Sequence, residues 1–400
     1  MKISTPFRPA ARAILALAVV TAFAACGDDD GGTGPNVGSI TVSVTSSGVG
    51  VDSAGYVIVV DNGDGEDVAP NGDLSISAAA GSHSVELAGV GSNCTIDGEN
   101  PRTVDVVAGE DVAVTFQVTC TAPTLAFASL RSGSFAIYTM GSDGSGIQRL
   151  TNDASPGFAT LPAWSPDGSK IAFASTRDRS TKGLDIWVMD ASGANPTRLT
   201  NEAGQNGRAA WSHDGTKIAF TSTRNDTLVA EIWLMDADGG NQRAITSDGK
   251  FANTPSWSPD DSKIVFQSNR DGSDQLYVMN SDGSGITRLT NGVWADQEPA
   301  WSPDGSLIAF QSTRDAAEPL KMNNADFEVY VVNADGSSPT RLTNNSDFDG
   351  RPSWSASGGQ LIFDSGRDGN QEVYVMNRDG SGQVNVTNNS ADDGFARFRP

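Results

Sequence analysis

Five copies of a tryptophan-led turn limit what this chain can become. They are Trp164-Ser165-Pro166-Asp167-Gly168, Trp211-Ser212-His213-Asp214-Gly215, Trp257-Ser258-Pro259-Asp260-Asp261, Trp301-Ser302-Pro303-Asp304-Gly305 and the degraded Trp354-Ser355-Ala356-Ser357-Gly358. The tryptophans step by 47, 46, 44 and 53 residues. A fixed period of about 40–50 residues marks an array whose units bury their apolar faces against one another, and it is the length of one four-stranded propeller blade.

Each period divides into four short strands. The tryptophan ends the first, Ile171-Ala172-Phe173-Ala174-Ser175 is the second, Asp185-Ile186-Trp187-Val188-Met189 the third and Thr197-Arg198-Leu199-Thr200 the fourth. Between third and fourth strands stand Asp-Gly pairs such as Asp143-Gly144, Asp282-Gly283, Asp335-Gly336 and Asp379-Gly380, which favour a tight antiparallel turn. The third and fourth strands occur six times, the tryptophan strand five times. The ends of the array supply the missing copy. Thr124–Ser129 reads as a second strand with no first before it, and Gly394–Phe398 as a first strand with no second after it, with Phe398 at the tryptophan position. The expectation is an all-β chain whose residues 124–400 form a six-bladed propeller, the C-terminal strand completing the first blade and leaving no open edge.

With its Trp-Ser-Pro-Asp-Gly, Ala-Phe-x-Ser-x-Arg and Tyr/Trp-Val-Met-Asn/Asp segments, the repeat closely resembles the TolB-like, WD-repeat-like propellers. The resemblance covers residues 124–400. It implies a periplasmic binding propeller; in TolB that propeller binds a peptidoglycan-associated lipoprotein. TolB also carries an N-terminal α/β domain, which no stretch of this chain resembles, so a role in the Tol-Pal system does not follow.

Ahead of the array the chain reads in three parts. Lys2, Arg8 and Arg12, then the apolar run Ala13–Ala22 and Ala24-Ala25, make residues 1–25 a secretory leader. Phe23-Ala24-Ala25-Cys26 resembles a bacterial lipobox, with Phe23 where Leu is usual. That resemblance implies cleavage before Cys26 and a diacylglycerol on its thiol. Residues 26–36, glycine- and aspartate-rich, are expected to be a flexible acidic tether. Gly27 after the cysteine favours the outer membrane, at its periplasmic face or the cell surface, as the address of the anchor.

Residues 37–121 show half-buried and buried strand patterns at Ile40–Val44, Tyr56–Val60, Ser82–Leu87, Val104–Val106 and Val112–Val118, which predicts a small β-sandwich. Its segment Ala78–Leu87 resembles the surface-layer and carboxypeptidase-regulatory-type modules of envelope proteins. In an oxidising compartment Cys94 and Cys120 are expected to pair as a disulfide, pinning a loop to the last strand. Two cysteines are too few for a metal, and neither His83 nor His213 lies near them at a ligand spacing.

Composition excludes some partners. With 49 Asp+Glu against 27 Lys+Arg the net charge is -22, which repels phosphate backbones and argues against nucleic acid. The arginine after each second strand (Arg131, Arg177, Arg224, Arg270, Arg314, Arg367) is expected to be framework, paired with Asp185, Glu231, Glu328 or Glu372 ahead of the third strand. Recognition is expected where the repeats differ, in the fourth-to-first and second-to-third strand loops on one face of the ring. The candidates there are Arg208, Phe251, Trp294, Asp296, Glu298, Lys321, Asp347, Asp349, Arg351, Asp392 and Arg397. An acidic, aromatic rim suits an envelope protein or peptidoglycan-associated partner, and the chain is read as a monomeric, non-catalytic scaffold. With two histidines on different domains there is no Ser-His-Asp set. The alternative is a carbohydrate-active or peptidase-like enzyme, or a glycan- or cation-binding protein, using the rim carboxylates. Those aspartates have oxygen chemistry fit for Ca²⁺ but no loop spacing that specifies it, so no cofactor is expected.

Overall fold

Ile40, Val42 and Val44 alternate with polar neighbours along the first strand, and all three are buried. The computed structural model of the chain describes residues 36–48, 55–90, 94–120, 124–152, 157–178, 183–225, 229–316 and 327–400. The leader, Cys26, nearly all of the tether and Lys321 lie outside the described residues.

The N-terminal strands are β1 (Val37–Gly48), β2 (Tyr56–Val60), β3 (Glu66–Val68), β4 (Asn71–Ala79), β5 (Gly81–Ala88), β6 (Cys94–Ile96), β7 (Arg102–Val106) and β8 (Asp111–Cys120). They form two four-stranded sheets, β4-β1-β8-β6 and β3-β2-β5-β7. β1 and β8 run parallel with Val42 opposite Val114, so their inward residues meet Tyr56, Ile58, Val85 and Leu87 of the other sheet in one core. Cys94 opens a short strand of its own and sits directly opposite Cys120 in the β6–β8 ladder, so the disulfide ties two paired strands where the sequence predicts a tied loop.

The remaining strands make six four-stranded antiparallel sheets. Blade one consists of Thr124–Ser129, Ala136–Gly141 and Gln148–Arg149, with the C-terminal Asp393–Phe398 added to the first of these, Phe398 opposite Leu125. Blades two to six begin with Ala159–Trp164, Asn206–Trp211, Ala252–Trp257, Asp296–Trp301 and Asp349–Trp354. These six tryptophan-type strands touch their neighbours in cyclic order, Asp393–Phe398 closing onto Ala159–Trp164, and are therefore the inner strands around a common axis.

The recurring letters each have a local cause. In every blade the phenylalanine of the second strand (Phe127, Phe173, Phe220, Phe266, Phe310, Phe363) is wholly buried, which contributes about 2–3 kcal/mol each. It packs beside an aromatic of the third strand, as in Phe363–Tyr374 at 5.6 Å between centroids. The threonine ending each Leu-Thr or Val-Thr pair accepts from the backbone N–H of the third strand, Thr151 from Ile137 and Thr343 from Val329, so a two-residue outer strand suffices to hold the edge. In the Trp-Ser-Pro-Asp turn the Ser165 hydroxyl donates to Asp167 and accepts from the Lys170 N–H, and Asp167 accepts from the Ser169 N–H.

The six arginines after the second strands are framework, but with partners other than those the sequence predicts. Each guanidinium lies over the aromatic pair of its own blade, Arg224 at 4.5 Å from Trp233 and Arg367 at 4.6 Å from Tyr374. Inner strands supply a carboxylate to three of them, Asp393 to Arg131, Asp296 to Arg314 and Asp349 to Arg367, while Arg270 pairs with Asp248 of the loop before the inner strand. Of the acids ahead of the third strands, Asp185 and Glu328 bind the outer-strand arginines Arg198 and Arg341, while Glu231 accepts from Asn225 and Glu372 from Thr387 and Asn370.

Candidate binding site on the propeller axis

Three residues before each tryptophan, or before Phe398, the inner strand leaves its ladder. Leu161, Arg208, Thr254, Glu298, Arg351 and Phe395 all have φ between 52° and 56°. Each sits in a register break of the pairing between inner and second strand. For a residue with a Cβ that backbone costs about 1–2 kcal/mol, so a repeat that keeps it in six blades must support it.

The second strand of the preceding blade supplies support. Gln311 Oε1 accepts from the Arg351 N–H at 3.0 Å, Asp364 Oδ2 from the Phe395 N–H at 2.9 Å and Thr221 Oγ1 from the Thr254 N–H at 3.3 Å. Approach is close enough that a Cβ on Gly350 would lie 2.2 Å from Gln311 Oε1.

Because the bulge turns its residue toward the axis, groups far apart in sequence meet. Arg208 of blade three donates to both carboxylate oxygens of Glu298 of blade five, at 2.5 and 2.7 Å, past Thr254 of blade four. Arg351 donates to Asp364 at 3.0 Å and stacks on Phe348 and Phe395, whose ring centres lie 5.2 and 4.3 Å away. Burial pushes the wholly buried Asp364 carboxyl above its usual range, against the pull of Arg351 and the Phe395 N–H. Arg397 projects nearby, donating to the Ala396 carbonyl at 2.8 Å.

Beneath the Arg208–Glu298 pair an axial cavity of about 480 Å³ opens toward the Trp-Ser-Pro-Asp-Gly face. Its walls are the inner-strand prolines and alanines, the tryptophans and the hydroxyl residues Ser212, Ser256 and Ser353, with Pro166, His213 and Pro303 at the rim. His213 stands where three of the four sibling turns have proline; Asp261 of the next blade accepts from the His213 and Asp214 backbone N–H groups.

The predicted candidates divide accordingly. Arg208, Glu298 and Arg397 line the axial cavity and Arg351 lies on the same inner ring, so these four come together. Asp296 and Asp349 are fully buried inside their blades; Asp296 accepts from Ser312 and Arg314, Asp349 from Arg367 and Asn345. They are therefore not rim groups, and Asp349 offers Asp347 no accessible second carboxylate. Trp294 donates to Asp296 and lies 5.6 Å from the Arg314 guanidinium, covering that buried pair. Phe251 is half-buried beside the inner strand of blade four, its carbonyl accepting from Ser268. Asp392 is half-buried and accepts from the Gln371 N–H, while Asp347 is exposed on its loop. Lys321 lies outside the described residues. Among the described residues no three His, Cys, Asp and Glu side chains are grouped to hold a metal ion.

The cavity opens at the end opposite the variable loops, although three of the predicted candidates, Arg208, Glu298 and Arg397, line it. The signal was a single column: three residues before the tryptophan the blades read Leu, Arg, Thr, Glu, Arg, Phe, while the framework around that position repeats.

The profile of the TolB beta propeller domain matches residues 92–255 and 230–327, more than half of the chain. The chain belongs to the TolB β-propeller domain family. Among solved structures this TolB-like chain is similar to TolB from Acinetobacter baumannii, at 24% identity and a TM-score of 0.59 over 70% of this chain and 67% of that one. A putative TolB from Agrobacterium tumefaciens aligns at 21% identity and a TM-score of 0.52, covering 70% of this chain and 99% of its own. Hydrazine synthase of Kuenenia stuttgartiensis gives 15% identity and a TM-score of 0.56, over 70% of this chain and 47% of that one. At these identities the likenesses establish the propeller fold. No curated protein matches the chain.

Proposed function

We propose that this TolB-like protein is a cell-envelope lipoprotein whose propeller is a non-catalytic scaffold binding an envelope partner along its axis. One observation carries the reading. The side chains that hold the blades together are nearly invariant from blade to blade, whereas the residues turned onto the axis are of five kinds in six blades but share one strained backbone. Strain kept at fixed places with variable side chains is the mark of a recognition surface on a structural frame. The cavity, about 480 Å³ and walled by apolar and aromatic groups with few charges, has the size and make-up of a ligand site. The leader and Cys26 support an exported, lipid-anchored protein held by its tether near a membrane surface, with the outer membrane as the address.

Capture from intact envelopes tests the reading, with the native protein set beside an Ala210→Trp variant whose indole fills the cavity. Ala210 lines that cavity and also borders the core around Trp257, so the melting temperature of the variant is compared with that of the native protein before capture is read. The proposal expects a partner held by the native chain and lost by the filled one. Equal capture by both would refute axial binding.

A further inference from the structure

We propose that the axial cavity receives a carboxylate borne on a flat apolar body, and that Arg397 is the cation that meets it. This rests on the reading of the cavity as the binding site and names the chemistry of its occupant.

Arg397 breaks a column. One residue before the tryptophan the other inner strands carry Ala163, Ala210, Ser256, Ala300 and Ser353, small side chains that leave the axis open. A guanidinium there adds nothing the framework needs, because five blades stand without it. Its bonding is also incomplete. Arg208 has Glu298 and Arg351 has Asp364, both within 3.0 Å, but Arg397 makes no ion pair among the described residues and donates only to the carbonyl of its own neighbour.

The axial groups acting on one another are three guanidiniums, Arg208, Arg351 and Arg397, against two carboxylates, Glu298 and Asp364. Among these five side chains the guanidiniums outnumber the carboxylates by one, in a chain of net charge -22. A half-buried cation without a counter-ion is unfavourable, and an anion arriving there is bound more strongly than it would be in water. Desolvation lowers the Arg397 pKa, with Glu298 and Asp364 opposing, and the group stays a cation at neutral pH.

The class of anion follows from two limits. That excess of one guanidinium balances a monoanion, not the near double charge of a phosphate monoester. Below Arg397 the flat apolar faces of Trp211, Trp301, Pro166 and Pro303 line the cavity, interspersed with the hydroxyls of Ser212, Ser256 and Ser353. A planar carboxylate fits the guanidinium fork, and an aromatic or proline-like body fits the walls. The carboxylate is carried either by a small acid or by the free end of a partner's chain.

Ligand-observed NMR titration of the full chain separates these outcomes, with phenylacetate, phenylacetamide, N-acetyl-prolyl-phenylalanine and the amide of that dipeptide as probes. Expected is binding of an acid at least tenfold tighter than its amide. In Arg397→Ser the preference should fall to within twofold at an unchanged melting temperature, since Ser256 and Ser353 already occupy that place in sister blades. Arg397→Lys should keep part of the preference. Binding by phenylacetate marks a small acid as the source, and binding by the dipeptide alone marks a chain end. Acid and amide binding equally to the native chain would overturn the carboxylate assignment while leaving the cavity a binding site. Preference retained in Arg397→Ser would overturn the role of Arg397. Failure of all four probes, with Ala210→Trp still capturing the envelope partner, would remove axial recognition itself.

Discussion

Arg208 and Glu298, 90 residues apart and with a whole blade between them, share a two-pronged ion pair on the propeller axis. Glu298 is the more deeply placed of the two, its side chain 10% exposed against 27% for Arg208. Removing either partner leaves the other partly desolvated and unpaired. Arg208→Ala and Glu298→Ala should each destabilise the propeller by about 2–3 kcal/mol, and the double variant by less than their sum, with a coupling of about 1–3 kcal/mol. Urea unfolding of the four proteins in the cycle measures this directly; strict additivity would show that the pair is not coupled.

Asp349 gives the opposite expectation for binding. It is buried inside blade six and accepts from Arg367 at 2.6 Å, so Asp349→Ala should cost about 2–4 kcal/mol of stability and leave partner capture intact. Burial already pushes its carboxyl upward, ahead of the bonds from Ser365 and the charge of Arg367 that lower it, so Asp349→Asn should cost less than Asp349→Ala. Chemical unfolding and envelope capture on the same preparations check both halves.

Asp261 stands where four sibling turns have glycine, at φ 56°. Glycine would relieve about 1 kcal/mol of backbone strain but remove two carboxylate bonds, to the N–H groups of His213 at 2.7 Å and Asp214 at 2.9 Å. Bonds to a charged acceptor contribute about 1.5 kcal/mol or more each, so the bonds win. Asp261→Gly should lower stability by about 1–2 kcal/mol, read from the shift in urea midpoint; a gain in stability would show that strain dominates.

The sandwich carries a pH dependence of its own. His83 faces Asp61 with Nδ1 at 2.6 Å and the Ala79 carbonyl with Nε2 at 2.8 Å, two acceptors that an imidazolium satisfies together. The Asp61 bond first, then that to Ala79, raises the His83 pKa. The resulting stability is full below the unfolded value of about 6.5 and is lost as pH rises through the higher folded value. Asp61 is lowered, by the Ser84 N–H first and then by His83, so its contribution is present above about pH 4 and disappears in acid. The sandwich melting transition should fall between pH 6 and 8.5, and His83→Asn should flatten that slope; scanning calorimetry of both proteins decides it.

Acid should act on the propeller through its turns. Asp167 and Asp260 are lowered to about 2, chiefly by the hydroxyls of Ser165 and Ser258. Their stabilisation is complete above the ordinary aspartate value of about 3.9 and is lost as pH falls through about 2. Asp167→Asn combined with Asp260→Asn should shrink the loss of propeller stability between pH 4 and 2, followed by circular dichroism.

How much of this was legible depended on whether a residue's role is local. The Trp-Ser-Pro-Asp turn, the Phe-x-Ser-x-Arg segment and the Leu-Thr edge each act within a few residues or one ladder, and their recurrence wrote the propeller into the sequence. β4 is not among the strands the sequence predicts although Leu74, Ile76 and Ala78 alternate with polar residues; Asn71, Gly72 and Asp73 at its start are residue types depleted in strands. Asp296 and Asp349 look like rim acids in sequence; only the fold brings Arg314 and Arg367 over them. The axial pairing of Arg208 with Glu298 has no local trace at all, since it depends on ring closure and on a bulge that repeats in backbone but not in side chain.

The central claim is that recognition occurs on the axis at the tryptophan-turn face. Its most direct test is a photo-crosslinking residue placed either at Ala356, exposed at the cavity mouth, or at Asp347, exposed on the loop between the outer strand of blade five and the inner strand of blade six, and activated in intact envelopes. The account predicts one discrete protein adduct through Ala356 that disappears when Ala210→Trp is added. An adduct formed through Asp347 alone, or one through Ala356 that persists in the filled variant, would contradict it.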